Sequence, residues 1–116
     1  EPMLLNVMIN NLLDNALAYS APNSEITYRL GCDPANPKQA MFELRNLPGK
    51  PGYPDESKLF QKYYRAAAAH HRTGSGLGLY LVKHLAMLCN GDLRYRREDD
   101  WVVFELVWPI HHTTET

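Results

Sequence analysis

Between Met3 and Tyr19 the apolar residues share one helical stripe, Leu5, Met8, Leu12 and Ala16 with Ile9 and Leu13 beside them, while Asn6, Asn10, Asn11, Asp14 and Asn15 collect elsewhere. No other feature constrains the chain more, because a helix with one apolar face is stable only when that face is covered. In 116 residues the cover can come from one core: a chain of this size buries about two thirds of its unfolded surface. The polar side is unusual. Asparagine is a poor helix former whose side chain competes for backbone hydrogen bonds, so four asparagines within two and a half turns are selected by something other than propensity. The helix should stop near Ser20 and Ala21, because Pro22 disfavours helical geometry before it.

The rest of the chain supplies the cover. Ile26, Tyr28 and Leu30 alternate with Thr27 and Arg29 as a half-buried strand, and a second alternation runs through Phe42 and Leu44. Two prolines make 31–38 read as a loop, and LPGKPGYP after Asn46 cannot hold regular structure. A short helix is expected next, starting at Asp55 or Ser57 and packing through Leu59, Phe60, Tyr63 and Tyr64. AAAAHHRTGSG has no large apolar side chain to pin it and is expected to be mobile. Leu77, Leu81, Leu85 and Leu88, with Val82 and Ala86, predict a buried helix stopped in left-handed geometry at Asn90 and Gly91. A hairpin closes the chain: Leu93 and Tyr95 alternate with arginines, Glu98 to Asp100 make the turn, and WVVFELVW is the most strand-like run. The expectation is an α+β domain over 1–110, a two-layer sandwich whose mixed sheet is covered by helices on one face, with 111–116 as a disordered tail.

Composition removes several functions. With 45% hydrophobic residues, 22% charged and a net charge of -1, the chain is neither disordered nor built to coat a polyanion, so nucleic acid is excluded as a partner. No apolar run approaches the roughly 20 residues of a membrane span, and no secretory leader is evident. Cys32 and Cys89 form neither a CxxC nor a zinc spacing, which favours structural thiols in a reducing compartment.

Two features carry chemistry. Gly74, Gly76 and Gly78 in TGSGLGL precede the second buried helix, where free N–H groups and the positive end of the helix dipole form an anion site. Spacing alone leaves two readings open, a phosphate cradle and a loop tightened by glycine packing. Asn11 and Asn15, four apart, lie on one helical face with hard carboxamide oxygens suited to a magnesium ion that keeps most of its ligands as water and phosphate; a solvated polar face is the other reading.

The order NNLLDNALAYS, an asparagine-led loop, LFQKYYR and TGSGLGLYLVKHLA resembles the ATP-binding catalytic domain of sensor histidine kinases, in the superfamily of gyrase, Hsp90, histidine kinases and MutL. The resemblance runs from Leu4 to Pro109 and implies a Bergerat-type ATP-binding fold. It implies that Asn15 holds Mg2+, that Asn11 lies by the phosphates as a catalytic residue, and that Tyr19 is close to the nucleotide. Gly74, Ser75, Gly76, Leu77 and Gly78 would wrap the phosphates and hinge a lid, with Arg72 reaching the γ-phosphate and Arg65 also binding the nucleotide. Ala18 stands where the family often has a cation, for which Lys62, Arg65 or Arg72 would compensate.

The departure lies in the segment that the family writes DxGxG after a strand, whose aspartate accepts from the adenine amino group. Asn46 takes the aspartate position, and Gly49 and Gly52 fall out of register. A neutral acceptor is weaker than a charged one by about 1 kcal/mol, roughly fivefold in affinity.

What the resemblance implies is transfer of the γ-phosphoryl group of ATP to a histidine on a separate dimerisation domain of the same parent, which then serves a response regulator. None of His70, His71, His84, His111 and His112 precedes an acidic residue, as the family's phosphoacceptor usually does. His84 is expected at the edge of the core, hydrogen-bonded within the fold, and His70 and His71 on the lid surface. The domain is then cytoplasmic within a membrane-anchored bacterial sensor, and monomeric when isolated. Two alternatives remain: a nucleotide-impaired docking module, suggested by Asn46 and Ala18, and a serine-directed anti-sigma-type kinase.

Overall fold

The computed structural model describes residues 2–50, 52–61 and 78–110. Its elements are α1 (Pro2–Tyr19), β1 (Ile26–Asp33), β2 (Asn36–Asn46), α2 (Gly78–Leu88), β3 (Asp92–Glu98) and β4 (Trp101–Pro109). The four strands form one sheet in the order β1-β2-β4-β3, with α1 and α2 packed side by side on one face. The two-layer α+β class is as the sequence predicts. The sheet, expected to be mixed, is antiparallel at every pairing of the described strands. The long connection through α2 does join two strands of the same direction, β2 and β3, but β4 inserts between them and pairs antiparallel with both.

The core lies between the layers. Met8, Leu12 and Ala16 of α1, and Val82 and Ala86 of α2, meet Phe42, Leu44, Leu93, Val102, Phe104 and Leu106 of the sheet. The stripe foreseen on α1 is the one buried. On α2 the buried face is Val82 and Ala86 with Leu79 and Leu85 at its shoulders, whereas Leu81 and Leu88 point outward. A helix in a two-layer sandwich is covered on one side only, so its apolar surplus faces water. The end of α2 is a Schellman motif: Asn90 takes the left-handed conformation (φ 62°), Gly91 N–H donates to Ala86 O and Asn90 N–H to Met87 O. Gly91 is required for space rather than for backbone angle, since a Cβ there would stand 2.0 Å from Val107 O.

Three further expectations are corrected. The loop foreseen over 31–38 is mostly strand, because Asp33 and Asn36 side chains accept from Ala35 N–H and Lys38 N–H and confine the reversal to a tight turn. The short helix foreseen after Asp55 is a run of turns as far as Gln61, opened by Asp55 accepting from Ser57 N–H and Oγ–H; Tyr63 and Tyr64 lie outside the described residues. In the last hairpin, Glu98 pairs with Trp101, leaving Asp99 (φ 54°) and Asp100 as the turn.

The sheet's outer face has no second helical layer among the described residues. Arg96 donates to Glu43 and Glu98 at 2.9 Å each and to Glu105; Arg45 donates to Glu98, and Arg94 to Asp33 at 3.2 Å. Counting Arg29, four arginines and four carboxylates neutralise one another on the face that also carries Met41, Val103 and Val107, all buried. Burial opposes the charge on Arg96, but the bonds to Glu98, Glu43 and Glu105 outweigh it and hold its pKa above the ordinary arginine range.

Candidate functional site

α1 sets out Asn11, Asn15 and Tyr19 at four-residue intervals, so all three line one face, each half-buried. Asn11 Nδ2–H donates to Val7 O, one turn back, at 2.8 Å. That bond fixes the carboxamide and turns Oδ1 outward, toward the first residue of α2: a Cβ on Gly78 would stand 3.4 Å from Asn11 Oδ1. The sequence-predicted pair Asn11 and Gly78, distant in the chain, are therefore brought together.

The other side of the site is built where β2 ends. Ala21 N–H donates to Leu47 O and Gly49 N–H to Tyr19 O, each at 2.8 Å, with a bridge between Ser20 and Pro48. These bonds stitch the loop after Asn46 to the end of α1, beside Tyr19. Gly49 makes the approach possible, since a Cβ there would stand 2.8 Å from Ser20 O. Asn46 is on the helix-covered face, in line with Phe42 and Leu44, and is buried. Gly52 then turns the chain with φ 75°, and its N–H donates to Gly49 O.

Beyond that turn, Tyr53 lies under the Arg97 guanidinium at 3.7 Å and its hydroxyl donates to Asp100 O at 2.9 Å, fastening the loop to the β3–β4 hairpin. Leu59 is buried in the core and Phe60 lies under Lys83 Nζ at 4.9 Å. Lys83 is also held by Asp92 at 2.7 Å. Sequence reasoning missed Gly49, Tyr53 and Lys83; the Pro48–Gly49 pair was a legible signal for close backbone approach, the other two were not.

Arg65, Arg72, Gly74, Ser75, Gly76 and Leu77, with Lys62, His70, His71, His111 and His112, lie outside the described residues. His84 is exposed and stacks on Tyr80 at 6.2 Å, rather than sitting at the edge of the core, because it lies on the outward side of α2. Cys32 and Cys89 are free thiols. Among the described residues there is no cluster of three or more His, Cys, Asp or Glu side chains that could hold a metal. A concavity on the opposite face of the sheet, lined by Thr27, Arg29, Glu43, Arg45, Arg96 and Glu98, has its charges already paired.

An asparagine-bearing helix facing the glycine start of a second helix over an antiparallel sheet defines a class. The family described as histidine kinase-, DNA gyrase B- and HSP90-like ATPase matches residues 1–112, and the chain belongs to it. Its relatives narrow the class to sensor kinases. It is 35% identical over 98 residues to the sensor protein CreC of Escherichia coli, covering 83% of this chain and 20% of that protein. It is 34% identical over 97 residues to the signal transduction histidine-protein kinase/phosphatase MprB of Mycobacterium bovis, covering 82% and 18%. The chain thus spans about a fifth of the length of these relatives. The solved mycobacterial sensor histidine kinase MprB superposes with a TM-score of 0.79 at 28% identity, over 94% of this chain and 74% of that one. The catalytic domain of histidine kinase ThkA shares the fold, with a TM-score of 0.74 at 20% identity over 94% and 69%. The chain is a catalytic fragment of the sensor histidine kinase type.

Proposed function

We propose that residues 1–110 form a domain that binds ATP with Mg2+ between α1, the loop after β2 and the start of α2, and donates the γ-phosphoryl group to a histidine on a separate dimerisation domain. The observation that carries this reading is the meeting of Asn11 Oδ1 with Gly78. It sets a fixed carboxamide against the first turn of α2, where N–H groups and the helix dipole favour phosphate. The donor set fits magnesium: Asn15 offers a neutral hard oxygen on the face that carries Asn11, and a nucleotide-bound magnesium needs only one or two protein ligands. Bound there, magnesium would neutralise phosphate charge. Asn11 orients the phosphates, Tyr19 and Asn46 hold the base side, and Arg65, Arg72, Gly74, Ser75, Gly76, Leu77 and Gly78 are further nucleotide-binding residues.

In the parent protein this domain acts from the cytoplasmic side of a membrane-anchored sensor, and the phosphoryl group passes on to a response regulator. No helix among the described residues is long and apolar enough to cross a membrane. Thermal-shift titration with ADP and ATP, with and without magnesium, tests the reading. Ligand near 100 times its dissociation constant stabilises by about 2.7 kcal/mol, roughly 10 °C here. The magnesium-dependent part should vanish in Asn15→Ala. A cooperative melt that millimolar nucleotide does not move would favour the docking module that Asn46 and Ala18 suggest.

A further inference from the structure

Asn46, Val102 and Arg97 share one row of the sheet, so the loop after β2 and the β3–β4 turn stand at the same end of it. The loop is fastened on two sides by different means. At α1 the bonds run backbone to backbone: Ala21 N–H to Leu47 O and Gly49 N–H to Tyr19 O, each at 2.8 Å. At the hairpin the fastening is made of side chains. The half-buried Tyr53 ring packs against the core and carries the Arg97 guanidinium at 3.7 Å, and its hydroxyl donates to Asp100 O at 2.9 Å. Arg97 Nε–H donates in turn to Asp99 O at 3.2 Å. Among the described residues, Arg94 and Arg96 of the same strand are paired with carboxylates and Arg97 with none, so its guanidinium is committed to the ring and the turn. Between the two fastenings Gly52 supplies a left-handed bend, φ 75°.

We infer that Tyr53 is a positioning residue for nucleotide binding: its clasp with Arg97 and the Asp99–Asp100 turn holds the loop in the shape that walls the site beside Tyr19. The inference rests on the nucleotide reading above. Tyr53 acts through the loop and not by contact with the ligand. The clasp is exposed to solvent, and a cation over a ring and single hydrogen bonds to turn carbonyls are weak beside the stability of a fold. This side of the loop can therefore let go while the domain stays folded and the stitch to α1 stays closed. Only molecules with the loop in place then bind well, and the apparent affinity falls by the fraction in which the clasp is shut.

The test is calorimetric titration of the 116-residue chain with Mg-ADP, beside Tyr53→Phe, Tyr53→Ala, Arg97→Ala and the double variant Tyr53→Ala with Arg97→Ala. Titrations are run well below the melting transition of each protein, as read by scanning calorimetry. Tyr53→Ala should bind ADP about fivefold more weakly, Arg97→Ala about threefold, and Tyr53→Phe, which keeps the ring under the guanidinium, about twofold. The double variant should lose no more than Tyr53→Ala loses, because either change opens the same clasp. A role confined to core stability would lower melting temperatures and leave the affinity of the folded variants at the parent's value. A direct attraction of Arg97 for phosphate would make the two single losses multiply in the double variant. Either result overturns the inference alone. Should Tyr53→Ala not fold, Arg97→Ala and Tyr53→Phe decide it, and parental affinity in both would overturn it. Failure of the folded, unaltered chain to bind Mg-ADP would overturn the nucleotide reading and this inference with it.

Discussion

Asn11 and Gly78 meet with no side chain between them: the carboxamide oxygen of the first lies 3.4 Å from where a Cβ of the second would stand. The middle of α1 and the first turn of α2 are thus in contact, and the proposed nucleotide site would put the phosphates there.

That distance separates fold from function in Gly78→Ala. At 3.4 Å a methyl fits as an ordinary contact, and alanine is a better helix residue than glycine by up to about 1 kcal/mol. The melting temperature should stay level or rise by a few degrees. Nucleotide affinity should fall about fivefold, the cost of covering a polar oxygen that would otherwise be bonded. Scanning calorimetry beside nucleotide titration reads both; a variant that binds as well as the parent would remove Asn11 from the phosphate side of the site.

Gly49→Ala should do the reverse and strike the fold. A Cβ there would stand 2.8 Å from Ser20 O and 3.2 Å from Ser20 C, both backbone atoms that cannot step aside. The loop must lift from the end of α1, at about 1 to 3 kcal/mol, or roughly 5 to 15 °C in melting temperature. Hydrogen exchange at Ala21 and Gly49, the donors of the two stitching bonds, should speed up before exchange in β4 does.

The stripe Leu5, Met8, Leu12, Ala16 and the alternation in WVVFELVW were legible because one side chain after another at a fixed period faces the same core. Tyr28 and Leu30 were legible as strand but not as exposed. They share a face with Leu44 and Phe42 yet stand 70% and 65% exposed, because β1 is the sheet edge and the packing helices lie over β2, β4 and β3. Periodicity reports which residues share a face, and only topology reports whether that face is covered. The same limit hid the site: Asn11 and Asn15 could be read as one face of a helix, whereas the contact with Gly78 and the stitch from Leu47 and Gly49 to α1 are made by residues far apart in the chain.

Leu30→Lys and Leu44→Ala test that distinction. The first should change stability by less than about 0.5 kcal/mol, as at most exposed positions. The second removes a side chain 2% exposed in the centre of the core and should cost about 2 to 5 kcal/mol. Denaturant melts of the two variants give the comparison directly, and equal losses would mean that β1 is covered after all.

The outer-face ion pairs give the fold an acid dependence whose sign follows from Glu98. Hydrogen bonds from Arg45 and then Arg96 hold its carboxyl below the ordinary value of about 4.5. The folded state therefore binds fewer protons at Glu98 than the unfolded chain does in that range. The stabilisation is complete above the ordinary value and is lost as pH falls through the lowered one. Glu98→Gln should melt below the parent at neutral pH, and the gap should narrow as pH falls below about 4.5 and close once the parent's carboxyl is protonated. Because the Glu98 side chain is 43% exposed, about 1 M salt should narrow the neutral-pH gap as well. Melting curves of the two proteins across that range decide the matter: a gap that stays constant down to about pH 3 would mean that Glu98 contributes through packing against Arg45 and Arg96 rather than through its charge.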